Sequence, residues 1–307
     1  MKLRKQIIYI PAVLVLLFSF LSYPSETSKN NNNNSSNNQI NIPVNKPEDL
    51  LKTMTVHYID VGKADSIFIE LPNDEVMLID AGESYNGPTI EEYIRNLGYN
   101  KIDYLIVTHP DADHIGGMGH IINNFEIKSI YMPKVVHTTK TYENLLTTIK
   151  DNGLTVKPAR AGTEIINEDN LKIDILAPIS ESYKNTNDYS VVIKIIYGNK
   201  KFLFMGDAQT LSEKEILTST ADVSVDVLKV GHHGSESSSH QAFLDAVGAE
   251  YAVITVGYKK NYNLPSPKIV ERLKSSGMNV LRTDEDGTII ITTNGVNISI
   301  KTENKVQ

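Results

Sequence analysis

From Thr53 onward, short runs of β-branched and apolar residues alternate with segments whose apolar positions recur at helical spacing. The runs predict strands over residues 55–60, 66–71, 76–79, 104–107, 173–176, 191–197, 201–204, 225–230, 251–256, 288–293 and 298–301. Helical periodicity predicts helices over residues 89–97, 142–150, 212–217, 239–247 and 266–276. The last is punctuated at both ends, with Ser266 at its N-cap, Pro267 in its first turn and Gly277 just past its end. Early and late groups of strands with helices between them predict two sheets packed face to face under outer helices.

The segment ahead of Thr53 follows neither pattern. Lys2, Arg4 and Lys5 precede an apolar run from Ile7 to about Tyr23, interrupted by Pro11. A basic start before a short apolar run reads as an export signal, and the run also approaches the roughly 20 residues that a membrane span needs. Residues 1–24 are therefore expected to be a cleaved signal peptide or an uncleaved anchor. Either way the protein is exported, secreted or held at the outer face of the cytoplasmic membrane. Residues 30–38 are nearly all Asn and Ser, too polar to bury a core. Residues 25–52 read as a linker, and residues 53–307 as one folded domain.

Composition narrows the chemistry. The 307 residues include no cysteine, so thiolate metal sites and disulfides are excluded, and any metal must sit on His, Asp or Glu. The formal net charge is −7, and the body without its basic start is more acidic still. Such a body disfavours non-specific nucleic-acid binding unless a local basic groove supplies it. There is no Gly-rich phosphate loop of the Walker type, and no protein partner is inferable.

The strongest chemical signal directly follows the strand run at residues 104–107: Thr108-His109-Pro110-Asp111-Ala112-Asp113-His114-Ile115-Gly116-Gly117. Four potential ligands fall within six residues at a strand end. His109 and Asp111 are two apart, so in extended chain they point the same way. Asp113 and His114 are adjacent and serve a second ion if the chain turns, which Gly116 and Gly117 allow. Imidazole and carboxylate donors suit zinc, manganese or iron. Other apolar runs also end in polar residues: Asp60-Val61-Gly62 with Asp65, Asp80-Ala81-Gly82, Gly206-Asp207, and Gly231-His232-His233-Gly234-Ser235. Strand ends in a sandwich share an edge, where loops build sites. His57, His120, His137 and His240 read instead as surface or satisfied core histidines. Tyr131, Tyr189, Tyr258 and Tyr262 are ordinary tyrosines that could line a pocket.

In that order these motifs, with Asn187 to Val192 and Arg282-Thr283-Asp284 before Asp286-Gly287, make the chain resemble the metallo-β-lactamase fold superfamily. In particular it is similar to the hydrolase domain of ComEC-type competence proteins and to free-standing secreted relatives of that domain. The resemblance implies an α+β, four-layer αββα sandwich with a two-metal site at one edge. It implies His109 and Asp111 on the first ion, Asp113 and His114 on the second, and Asp207 between them. His232 or His233 completes the second, and the other faces the substrate. Asp80 orients a ligand, and Asp60 and Asp65 support the loops. Asn187, Ser190, Lys229 and Ser235 are expected substrate contacts. Two divalent ions, zinc or manganese, would activate water, with Asp113 orienting it and accepting its proton.

Three departures bear on the expectation. Asp111 stands where many superfamily members carry His, as it does in the ComEC-like branch. The separate His ligand expected before the bridging Asp has no counterpart; Asn187-Asp188-Tyr189-Ser190 lies in that interval, so the first ion is expected to be the weaker one. Leu264-Pro265 replaces a His-Pro found in ComEC-like relatives. The resulting expectation is a phosphodiesterase or nuclease. Its alternatives are a hydrolase of a lactam or lactone, and a non-catalytic binding protein with a degenerate site.

Overall fold

The computed structural model describes residues 52–257 and 263–303. The export segment and nearly all of the linker, together with Tyr258 and Tyr262, lie outside the described residues. Among the described residues no helix is long and apolar enough to cross a membrane.

Six strands open the domain: β1 (Met54–Tyr58), β2 (Ile67–Glu70), β3 (Val76–Ile79), β4 (Lys101–Ile106), β5 (Glu126–Met132) and β6 (Val156–Pro158). Seven follow in a second sheet: β7 (Glu164–Asn167), β8 (Leu171–Ala177), β9 (Val192–Tyr197), β10 (Lys200–Phe204), β11 (Val227–Lys229), β12 (Tyr251–Ile254) and β13 (Asn279–Arg282). The hairpin β14 (Ile289–Thr293) and β15 (Ile298–Thr302) then returns to the first sheet, beside β1. The orders are β15-β14-β1-β2-β3-β4-β5-β6 and β13-β12-β11-β10-β9-β8-β7.

Three buried clusters define the four layers. Met54, Val56, Tyr58, Phe202, Phe204 and Ile193 belong to the core between the two sheets. A second core packs the first sheet against α1 (Gly87–Asn96), α3 (Met118–Asn124) and α4 (Lys140–Asp151). A third packs the other sheet against α5 (Thr210–Thr218), α6 (Gln241–Val247) and α7 (Pro267–Ser275). Two one-turn helices, α2 (Ala112–Ile115) and α8 (Thr283–Asp286), sit in loops. The fold is the expected αββα sandwich.

The periodicity missed several elements for identifiable reasons. β6 is an edge strand with all three residues exposed, so it carries no apolar pattern. β5 mixes exposed Glu126 and Lys128 into its first half. α3 is amphipathic but begins at the end of the Gly116-Gly117 pair, which reads as a turn. β3, β4, β5 and β6 are mutually parallel, as are β10, β11, β12 and β13. The C-terminal ends of each parallel set therefore deliver their loops to a single edge of its sheet.

Candidate metal centre

Asp80 follows β3 in a left-handed backbone conformation (φ 58°), which an Asp tolerates better than most residues. Its fully buried carboxylate accepts from the Thr108 backbone N–H at 2.9 Å, from Thr108 Oγ1 at 2.6 Å and from His114 Nδ1 at 2.7 Å. A carboxylate only accepts here, so the His114 proton sits on Nδ1 and the Nε2 lone pair faces away. With its own proton given to Asp80, Thr108 Oγ1 accepts from His109 Nδ1 at 3.1 Å. His233 Nδ1 donates to the Thr255 carbonyl at 2.8 Å. Three buried imidazoles are thus held in one tautomeric sense.

Their free atoms converge. The Nε2 atoms of His109, His114 and His233 and Asp207 Oδ1 are all buried without a hydrogen-bond partner among the described residues. His114 Nε2 lies 3.3 Å, and His233 Nε2 3.6 Å, from Asp207 Oδ1. Asp207 Oδ2 lies 3.6 Å from His232 Nε2 and 4.0 Å from His109 Nε2. Asp113 Oδ2 is 3.7 Å from His233 Nε2, and Asp111 Oδ2 is 3.7 Å from His109 Nε2. Buried polar atoms normally find partners, and four orphans facing one space fit a cation. Ligand atoms of His109, His114 and Asp207, and of Asp113, His114 and His233, lie within 4.8 Å of one another in each group. The donor set suits divalent metals.

The electrostatics point the same way. Burial would raise the pKa of Asp113 and of Asp207, yet the imidazoles of His233 and His114 hold both carboxyls well below the usual range. Burial opposes charge on His114 as well, but Asp207 and Asp80 hold its imidazolium well above the usual histidine range. The negative field that attracts a proton there attracts a divalent cation equally.

Gly231-His232-His233-Gly234 forms a short 3-10 turn in which both histidines are left-handed, at φ 48° and 50°. Two consecutive non-glycine residues in that region cost roughly 1–2 kcal/mol each. The turn separates the two rings. His233 is fully buried, whereas the His232 side chain is 24% exposed and rests against Ser237 Oγ at 2.9 Å and Gln209 Nε2 at 3.3 Å.

The structure revises several sequence expectations. Lys229 is not at a substrate-facing surface: it is fully buried, ion-paired with Asp65, and donates to the Gly206 carbonyl at 3.1 Å. Ser190 is fully buried too, and its Oγ accepts from the Asp207 backbone N–H at 3.0 Å, fixing that loop. Asn187 remains at the rim, 3.4 Å from His232 Nε2, and Ser235 is half-buried beside Ser237. Asp65 does more than support its loop. It binds Lys229 and Thr255 Oγ1 and lies 3.5 Å from His233 Nδ1. Asp60 is exposed and accepts the Gly62 N–H at 3.1 Å, as a loop support would. Leu264 packs against the core of the second sheet. His57 is a satisfied core histidine, held by Tyr93 and Glu70.

Sequence reasoning missed Thr108, Thr255 and Lys63. Thr108 had the signal of position, immediately ahead of His109 at the strand end. Lys63 was visible as the one cation between Asp60 and Asp65; its Nζ lies 3.2 Å from Asp113 Oδ2.

A family model described as the metallo-beta-lactamase superfamily matches residues 59–257, which includes every candidate ligand. The chain belongs to that superfamily. It is a metallo-hydrolase of the group, and its relatives include ComEC-type competence proteins. ComE operon protein 3 of Bacillus subtilis is 28% identical over 251 residues, 76% of this chain and 32% of that protein. Competence protein ComA of Neisseria gonorrhoeae is 28% identical over 75% of this chain and 31% of its own length. Recombination protein 2 of Haemophilus influenzae is 28% identical over 72% and 26%. The chain thus spans about a third or less of these relatives. Among solved structures, Igni18, a metallo hydrolase from Ignicoccus hospitalis, superposes with a TM-score of 0.53 at 17% identity, covering 78% of this chain and 98% of that one. CmlA, a diiron beta-hydroxylase from Streptomyces venezuelae, gives 0.51 at 15% identity over 78% and 54%. At these identities the likeness is one of fold.

Proposed function

We propose that the chain is an exported, two-metal phosphodiesterase acting on nucleic acid. The observation that carries the reading is the mixed ligand cluster: Asp113 and Asp207 stand among three imidazoles whose Nε2 atoms are left free, with Asp111 Oδ2 3.7 Å from His109 Nε2. Carboxylate-rich sites favour hard ions and phosphoryl oxygens over soft ones. The sequence likeness to competence and recombination proteins supports a nucleic-acid substrate. The basic start and apolar run at the N-terminus support export.

In this reading His109, Asp111 and Asp207 would hold one ion, and Asp113, His114 and His233, with Asp207, would hold the other. When bound, the pair would supply activated water near neutral pH and positive charge for the developing oxyanion. Asp80 and Thr108 keep His114 and His109 in the tautomers that coordinate. Asp113 would orient that water and accept its proton. Lys63, 3.2 Å from Asp113, offers an ammonium to a phosphoryl oxygen at the same rim. His232, partly exposed beside Asn187 and Gln209, would face the substrate.

The test is turnover of bis(p-nitrophenyl) phosphate and of single- and double-stranded DNA by the purified protein, with manganese or zinc added. Nitrocefin and a simple lactone run beside them. Cleavage of diesters that Asp113→Ala abolishes is the expected result. Turnover of the lactam or lactone alone, or of nothing under either metal, would overturn the reading.

A further inference from the structure

The parallel strands of the first sheet align three residues that the metal chemistry does not explain together. In the ladder, Ile106 of β4 pairs with Tyr131 of β5, and Tyr131 with Lys157 of β6. His109, Lys134 and Arg160 each lie three residues beyond one of these partners. They leave neighbouring strand ends along one edge. Adjacent strands are about 4.8 Å apart, so the end of β6 stands roughly 10 Å along that edge from the end of β4.

A cavity of about 240 Å³ opens at this place, lined by Lys134, Ala159, Arg160, Pro178, Glu181 and Tyr189 among others. It lies between the sheets' loops: the Ala159 N–H bonds to the Met132 carbonyl on one side, and the Ala161 N–H to the Pro178 carbonyl on the other. The cavity wall shares one element with the metal rim. Tyr189 lies in the same short 3-10 turn as Asn187, which touches His232, and Val191 just beyond bonds to the Thr108 carbonyl.

The charge of this wall runs against that of the molecule. Lys134 is exposed and has no carboxylate partner among the described residues. Arg160 is exposed and paired with Glu181 at 2.8 Å, a surface contact that an incoming phosphate can displace. Tyr189, half-buried with its ring 5.1 Å from that of Tyr183, lines the same cavity as the two cations. Cations and an aromatic side chain in one groove form the combination that tracks a single strand without reading its sequence.

We propose that this groove binds the phosphates and bases that flank the scissile diester, so that the protein acts on single-stranded nucleic acid longer than a dinucleotide. Lys134 and Arg160 each take one backbone phosphate, and Glu181 restrains Arg160 until a strand arrives. The proposal deepens the phosphodiesterase reading and rests on it.

Two measurements on the full chain test the groove. Binding of a fluorescein-labelled single-stranded oligodeoxynucleotide is followed by anisotropy over a salt series on an Asp113→Ala background, where the strand is not cut. Each single-strand phosphate contact contributes about 0.7 to the salt slope, so Lys134→Gln with Arg160→Gln should lower it by about 1.4 and weaken binding about tenfold. Glu181→Gln should tighten binding, a change that misfolding would not produce. With Asp113 intact, the double variant should lower the ratio of oligonucleotide turnover to bis(p-nitrophenyl) phosphate turnover by a similar factor. An unchanged slope, an unchanged ratio, or Glu181→Gln binding more weakly overturns the groove while leaving the phosphodiesterase reading standing. If the wild type cleaves no diester, that reading fails by itself, and the anisotropy series still decides the groove.

Discussion

His114 Nδ1 and Asp80 Oδ2 meet at 2.7 Å, and neither side chain touches solvent. The pair fixes which imidazole nitrogen is left for a metal, so the carboxylate acts at a distance on an ion it need not touch. Asp80→Asn keeps one acceptor oxygen but turns an NH2 group toward a donor from which Asp80 now accepts, and Asp80→Ala accepts nothing. Both should lower metal affinity by roughly 10–100-fold with the fold retained. Isothermal titration with manganese or zinc reads this directly, and wild-type affinity in Asp80→Ala would refute the assignment.

His232 and His233 should separate cleanly. His233→Ala removes a buried Nε2 that faces Asp113 and Asp207, so at least one ion should be lost on mild purification. His232→Ala removes a rim group and should keep the metal content while lowering turnover. Elemental analysis of both variants is the measurement. Loss of metal from His232→Ala alone would reverse the roles.

Lys229 and Asp65 are both fully buried and paired with one another. Lys229→Met leaves the Asp65 charge without its cation, which costs about 3–5 kcal/mol for a broken buried pair. Asp65→Asn with Lys229→Met removes both charges and should recover most of that loss in urea unfolding. Equal stability of the single and double variants would show that the pair is not coupled.

Gly117 is needed for space rather than for its backbone angle. Its φ is an ordinary −82°, but a Cβ there would lie 2.2 Å from the Ala81 carbonyl oxygen. That carbonyl belongs to the loop that carries Asp80. Gly117→Ala should therefore cost about 1–3 kcal/mol and weaken metal binding together. Gly98→Ala, where φ is 95° and no atom lies within 4 Å, should affect stability alone.

Glu213 gives a pH dependence unrelated to metal. It is 1% exposed, and burial pushes its carboxyl from 4.5 up to about 7, even though the Ser239 and His240 N–H groups donate to it. The folded state then holds a proton that the unfolded chain releases above 4.5. Its contribution is fully present below that value and is lost as pH rises through about 7, a fall of about 3 kcal/mol. Glu213→Gln should flatten the stability profile over this window; an unaltered slope between wild type and variant would refute the claim.

Much of the fold was legible because strand and helix periods are local. The runs ending at Ile79, Ile106 and Phe204 carry their apolar pattern in consecutive residues. The candidate ligands after them also carried a local signal, being polar groups crowded at strand ends. Lys229 misled for the same reason. A lysine among apolar residues reads as a charge seeking solvent, while its partner Asp65 is 164 positions away. Ser190 likewise looked like a hydroxyl for substrate, and its actual partner is the Asp207 backbone.

The sequence by itself determined the alternation of elements, the family, and the set of groups able to hold metal. Those follow from residue type and short-range spacing. The tertiary structure alone decided which groups face one another. Choosing between His232 and His233 required the paired left-handed turn, because neighbouring imidazoles are chemically the same until the backbone sends one inward and the other to the rim. The alignment of His109, Lys134 and Arg160 required strand register, a relation set by packing between segments that no local pattern contains.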